Sequence, residues 1–245
     1  MNRCRDRGSR PPPIRVDQPD QGYRFSIDSV LLADFASPYC GRSALDLGTG
    51  SGVVLLLLAR RCDVLKKGVG VEIQRQLWEF ARRNIAENGF EGRLSAVLGD
   101  LRGDIPGLSP RSFDLVVSNP PYRKIGEGRR NPDLRKEIAR HEVACTMADI
   151  FSAAGRYLTR RGRLAMVCPS HRLPEMFALG AAAGIVPETV RFIHPYPGSP
   201  ANRVLVAGCR RKAPELTVLP PLVVYSARGR YHPEVERIFA GFFRE

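Results

Sequence analysis

Four consecutive residues, Asn119-Pro120-Pro121-Tyr122, stand where an apolar run, Phe113–Ser118, ends. Two prolines remove two backbone donors and fix two φ angles, so the stretch is stiff and offers only carbonyls. The side-chain oxygen of Asn119 and the backbone carbonyl of Pro120 together make two acceptors for the two N–H bonds of one planar amino group. Tyr122 adds a flat face on which a planar substrate can stack. Two acceptors on one amine raise its electron density, and they are worth most as positive charge develops on nitrogen during attack on an electrophilic carbon. Such attack needs no strong base beforehand, since the nitrogen becomes acidic afterwards. The lack of an obvious catalytic His or Cys fits that chemistry. The bland alternative is a rigid strand-to-loop turn.

Three acids lie upstream. Asp46 precedes the turn Gly48-Thr49-Gly50-Ser51-Gly52, Glu72 follows 20 residues after Gly52, and Asp100 comes after Gly99. The turn is not a dinucleotide fingerprint, because the third glycine position of G-x-G-x-x-G falls on Val53, and no Gly-Lys-Ser/Thr makes it a P-loop. A carboxylate before a helix start suits a cationic ligand better than a pyrophosphate. Glu72 is placed to accept from two ribose hydroxyls, and Asp100 to meet an adenine edge. Taken singly, each acid reads equally as a helix cap or a solvated loop residue. Together they end three successive strands on one sheet edge, where open α/β sheets bind ligands. A ligand with an adenosine half and a cation answers this description, and S-adenosylmethionine fits. The candidate cofactor residues are Asp46, Gly48, Thr49, Gly50, Gly52, Glu72, Ile73, Asp100, Leu101 and Asn119, and no metal is expected.

The elements that must position these residues alternate. Strands are expected at 44–47, 68–72, 94–98, 113–118, 163–168, 189–194 and 203–209. Helices are expected at 26–35, capped by Ser26, and at 51–61, 74–88, 147–158 and 173–183. Strands alternating with helices make an α/β fold with a mostly parallel sheet and right-handed crossovers. Residues 1–20 read as a loose basic tail, with four arginines and Pro11-Pro12-Pro13, and residues 212–245 as an appendage with a short amphipathic stretch at 233–243. The domain proper is expected at 21–211.

Composition bounds the function. The 245 residues carry 43% hydrophobic and 26% charged side chains, as a globule does. The longest apolar run, Val53–Ala59, is far short of the ~20 residues a membrane span needs. No apolar leader is visible, and six scattered cysteines form no C-x-x-C pair, so free thiols in a cytoplasmic setting are expected. The net charge of +13 suits a polyanionic partner, although only five basic residues are lysines and GC-rich coding would also favour arginine.

Asp46–Gly52, Glu72, Asp100 and Asn119–Tyr122, in this order, resemble the class I S-adenosylmethionine-dependent amino-methyltransferases. The resemblance covers about residues 40–210. It implies a Rossmann-like seven-stranded sheet with helices on both faces and the last strand antiparallel. Upstream, Gln21–Phe35 is similar to the opening of the bacterial tRNA(Val) adenine-N6 methyltransferase family, and Pro197–Val206 to its C-terminal part. This implies that 21–40 covers the cofactor, with Arg24, Phe25 and Asp28 helping to close the pocket, and that the substrate is the adenine beside a tRNA anticodon. The long tail and the extension after Lys212 depart from the family core.

The segment 123–140 carries Arg123, Lys124, Arg129, Arg130, Arg135, Lys136 and Arg140 against three acids, a net +4. Beside the pocket it can grip phosphates around a flipped nucleotide in a stem-loop; otherwise it is a solvated loop. Rival readings are a protein glutamine N5-methyltransferase, disfavoured because only about 45 residues precede the first motif, an rRNA guanine N2 enzyme, and a DNA adenine enzyme. Non-methylating readings are a nicotinamide dehydrogenase, against the misplaced glycine, and a binding protein without catalysis, against the intact Asn119–Tyr122.

Overall fold

The computed structural model describes residues 13–19, 26–120, 145–210 and 215–243. Ser26 caps the first helix by accepting from the Asp28 amide (3.3 Å), and α1 (Ile27–Ala36) buries Val30, Leu31, Leu32 and Phe35. There follow β1 (Ser43–Leu47), α2 (Val53–Arg61), β2 (Lys67–Glu72), α3 (Arg75–Glu87), β3 (Leu94–Leu98) and β4 (Phe113–Ser118). Then come α4 (Met147–Tyr157), β5 (Leu158–Pro169), α5 (Leu173–Ala182), β6 (Val186–His194) and β7 (Arg203–Cys209). The order across the sheet is β3-β2-β1-β4-β5-β7-β6. Strands β1 to β5 pair in parallel, and β7 is antiparallel to both its neighbours.

The strand residues alternate between two cores. Leu115 and Val117 join α1, α2 and the C-terminal helix on one face; Leu45, Val69, Val116 and Leu164 join α4 and α5 on the other. Helices thus cover both faces, as apolar parallel strands require. β5 begins five residues before the expected start because it leaves directly from the end of α4, with Phe113 opposite Leu158 and an irregularity before Leu115 meets Arg163.

The two ends of the chain join this body. Residues 13–19, read from sequence as part of a loose tail, are strapped to α3. Asn88 exchanges hydrogen bonds with the Arg15 backbone (2.9 and 2.7 Å), and Asn84 does so with the Asp17 backbone (2.7 Å each way). Beyond the seven strands, the short β8 (Thr217–Val218) and β9 (Leu222–Val223) both pair with β6. They are followed by the hairpin β10 (Tyr225–Ala227) and β11 (Arg230–Tyr231), and by α6 (Pro233–Phe243). Val235, Ile238 and Phe242 of α6 sit in the same core as α1 and α2. The stretch 215–243, expected as an appendage, is packed into the sheet and core.

Phe242 is fully buried under the Arg61 guanidinium. Truncating such a ring costs about 3–5 kcal/mol, and a chain of this size loses roughly 2–4 °C per kcal/mol. Thermal melting of Phe242→Ala is therefore expected to fall by on the order of 10 °C; an unchanged melt would show that α6 lies outside the cooperative core.

Candidate active site

The carboxyl ends of β1, β2, β3 and β4 meet at one edge, with the reversal of strand order between β1 and β4, where ligands of such sheets bind. After β1 the chain turns through Gly48, Gly50 and Gly52 at φ of 74°, 57° and 85°, the left-handed region that favours glycine. The turn is pinned to β2, since the Gly48 and Thr49 amides both donate to the Val71 carbonyl (2.9 Å each). The buried Glu72 carboxylate completes the tie. Its Oε2 accepts from the Gly50 amide and its Oε1 from the Gln74 amide, each at 2.9 Å, while the Glu72 carbonyl accepts from Gly99 (2.9 Å). One acid thus holds the turns after β1, β2 and β3 together.

These turns enclose a cleft of about 730 Å³, mouth included, in the range of small-ligand sites. Of the candidate cofactor residues, Gly48, Gly50, Glu72, Ile73, Asp100, Leu101 and Asn119 line it, as does Pro120. Ile73 is 42% exposed, an apolar side chain left open at the mouth. Gly48 faces space in which an added Cβ would touch nothing, so a ligand can approach the backbone there. The glycine turn, an acid at the ribose position and an apolar slot fit an adenosine-bearing ligand. Periodicity gave no warning of Gln74, Leu77, Cys145 and Ile150, which also line the cleft. Burial pushes the Cys145 thiol up to about 12, with Asp149 adding to the rise, so it stays protonated.

Other candidates sit elsewhere. Asp46 is buried behind the turn and accepts from the Thr49 hydroxyl (2.7 Å). Gly70 on β2 leaves room for that threonine, since a Cβ there would meet its Oγ1 at 2.6 Å. Asp46 and Thr49 line a smaller cavity that shares Gly48 and Asn119 with the cleft. Gly52 caps α2 and lines neither. Asp28 also lines neither, and pairs with Arg203 at the start of β7 (3.4 Å). Asp100, expected to meet an adenine edge, is forked by Arg102 (3.0 and 2.6 Å), whose hydrogen bonds hold its carboxyl below the usual range. Arg24, Phe25, Pro121, Tyr122 and the basic residues of 123–140 lie outside the described residues.

Asn119 follows directly from β4. Its Nδ2 donates to the Oγ of Ser29 (3.0 Å), a buried hydroxyl on α1 that the sequence reading did not single out. One of the two N–H bonds of the amide is spent on Ser29, which fixes the side chain, and the acceptor that Asn119 can present in the cleft is its oxygen.

Burial pushes the Asp46 carboxyl up to about 7 from 3.8; the Glu72 charge adds to the rise and the Thr49 hydroxyl opposes it. A folded-state pKa raised above the unfolded one favours folding at low pH, and that contribution is lost as pH climbs to about 7. Asp46→Asn cannot ionise. Its melting temperature relative to the native chain is expected to improve steadily between about pH 4 and pH 7 and then level off. A constant difference over that range would place the Asp46 titration at its ordinary value.

The comparisons with known proteins agree with this geometry. A tRNA1(Val) (adenine(37)-N6)-methyltransferase of Porphyromonas gingivalis is 31% identical over 238 residues, spanning 93% of this chain and 91% of its own. One of the same name from Tolumonas auensis is 28% identical over 90% of each chain. The crystal structure of a predicted O-methyltransferase from Agrobacterium tumefaciens superposes with a TM-score of 0.69 at 23% identity, covering 89% of this chain and 98% of that one, a likeness of fold. Residues 18–186, more than half of the chain, match the methyltransferase small domain. The chain belongs to that family and is a methyltransferase that uses S-adenosylmethionine.

Proposed function

We propose that this enzyme methylates the N6 amino group of an adenine in RNA, and that the substrate is a tRNA(Val) adenine next to the anticodon. The observation that carries the reading is Asn119. A carboxamide at the end of β4 lines the cleft with its nitrogen engaged by Ser29, which leaves an oxygen to accept from a substrate N–H. The relatives' names supply the base and the tRNA, and the charge of +13 suits a polyanion.

The bound cofactor supplies a methyl group on a positively charged sulfur. Everything else falls to the chain. Glu72 and the glycine turn set the position of the adenosine half. The Asn119 oxygen and the Pro120 carbonyl hold the two N–H bonds of the target amine, fixing the line of nitrogen, carbon and sulfur. The two acceptors gain strength as the nitrogen turns positive, and the proton leaves the nitrogen after attack. In this reading Tyr122 stacks on the base and the arginines of 123–140 grip the phosphates around it. No helix among the described residues is long and apolar enough to cross a membrane.

The test is methyl transfer from labelled S-adenosylmethionine to total RNA, to DNA and to total protein in parallel, followed by mass spectrometry of the labelled nucleosides or amino acids. N6-methyladenosine is the expected product. Label in N2-methylguanosine, in DNA only or in protein glutamine would replace the reading with one of its rivals. Asn119→Ala should retain cofactor affinity and lose on the order of a hundredfold or more in turnover, the scale of one preorganised polar contact; unchanged turnover removes Asn119 from the chemistry. Ser29→Ala should act through Asn119, lowering turnover about tenfold, below the direct loss, with the KM for S-adenosylmethionine unmoved. A rise in KM with normal turnover would make Ser29 a cofactor contact.

A further inference from the structure

Strands β5, β7 and β6 run on past the end of β4. Ser118 on β4 pairs with Met166, and the ladder continues three rows further, to Pro169 opposite Arg203 and Arg203 opposite Ile193. At ~3.3 Å per residue and ~4.8 Å per strand, the β6–β7 loop stands about 10 Å above the level of Ser118 and about 14 Å along the same edge. This loop contains Pro197–Arg203, a run the catalytic reading leaves without a role.

The loop is stapled in one shape. Ser199 Oγ donates to the Tyr196 carbonyl (2.7 Å) and accepts from the Tyr196 amide (3.0 Å). His194 Nδ1 donates to the Ser199 carbonyl (2.6 Å), and Ser170 Oγ donates to the Ala201 carbonyl (2.7 Å). Tyr196, held on this loop, is 41% exposed and heads a column of rings. It leans on Tyr225 at 5.5 Å, which stacks on Tyr231 at 5.1 Å and 13°, which stacks on Phe239 at 5.4 Å. The column fixes the Tyr196 ring while leaving much of it in solvent. The hairpin that carries Tyr225 and Tyr231 has Arg228 in its turn and Arg230 at the start of β11, both exposed, and neither is in an ion pair among the described residues. An oriented, half-open aromatic ring leaning on a hairpin that carries exposed arginines has the parts that proteins use to bind single-stranded nucleic acid with little regard to sequence.

We propose that Tyr196, with Arg228 and Arg230, forms a second RNA subsite on the catalytic edge, where an unpaired nucleotide flanking the target base stacks on the ring while the arginines meet its phosphates. The proposal rests on the RNA reading above and adds a surface to it. The test measures equilibrium binding of fluorescently labelled total tRNA to the full chain. Tyr196→Ala should weaken binding on the order of tenfold, the cost of one lost base stack, and Tyr196→Phe should keep it. The double variant Arg228→Ala/Arg230→Ala should weaken binding and reduce the slope of log affinity against log salt by about two. Melting temperature, cofactor affinity and turnover at saturating RNA should stay as in the native chain. If Tyr196→Ala binds tRNA normally, or Tyr196→Phe loses as much as Ala, the subsite is wrong, while N6-methyladenosine production still supports the main reading. If the native chain binds no tRNA and forms no N6-methyladenosine, both fall together.

Discussion

The cleft depends on one buried carboxylate. Glu72 ends β2 with its side chain accepting from backbone amides of the turns on either side, Gly50 and Gln74, and with its own carbonyl taking Gly99. A buried acid is tolerable only when hydrogen-bonded, and backbone donors are the least mobile partners a chain can offer. The same bonds that make Glu72 tolerable hold a glycine-rich turn in left-handed conformations that would otherwise cost ordering entropy on ligand binding. Each carboxylate oxygen can accept more than one hydrogen bond, so a ligand's hydroxyls can join a network that already exists. The Glu72 half of the cleft is thereby shaped before any ligand arrives.

The Asn119 half is fixed by a different route. Asn119 is oriented by a hydroxyl 90 residues earlier in the chain. Ser29 can do this because α1 is anchored. Its apolar face is in the core with α2 and α6, Asp28 beside Ser29 pairs with Arg203 on β7, and Asp34 further along pairs with Arg61 on α2. Asp28, which the family resemblance implied helps to close the pocket, is paired here with Arg203 and so contributes to the position of α1. An acid one residue from a site residue can serve the site without touching it.

That displacement shows what a sequence carries and what it hides. Local rules located β3, β4, β7 and α6 to the residue and most other elements to within three, because periodicity of two or 3.6 and capping residues act over short stretches; they missed the first five residues of β5 and all of β8 to β11. They also put Glu72, Asp100 and Asn119 on one edge, since strand ends are set by the same local pattern. They did not show that Asp46 lies behind its turn. That follows from the parity of β1, which sends Asp46 to the α1–α2 side and Leu45 and Leu47 to the other. The strapping of 13–19 by Asn84 and Asn88 spans 67 and 73 residues, and the packing of α6 on α1 and α2 more still. Such contacts leave no periodic trace, so from sequence 1–20 reads as a loose tail and 212–245 as an appendage.

The two sides of the switch point in the sheet are built differently, and the difference bears on what each can hold. On the β1-β2-β3 side the strands stop short and the turns fold inward over an apolar cleft with an open mouth, a shape for a small ligand. On the β5-β7-β6 side the strands climb past β4, and β8, β9 and the β10–β11 hairpin broaden the wall further. In the reading proposed above, a wall of that height gives nothing to a methyl donor seated against Glu72 and gives surface to a substrate far larger than the amine it presents. On that reading the carboxamide at the end of β4 stands between the two, where a small donor from one side and one nucleotide of a long chain from the other would meet.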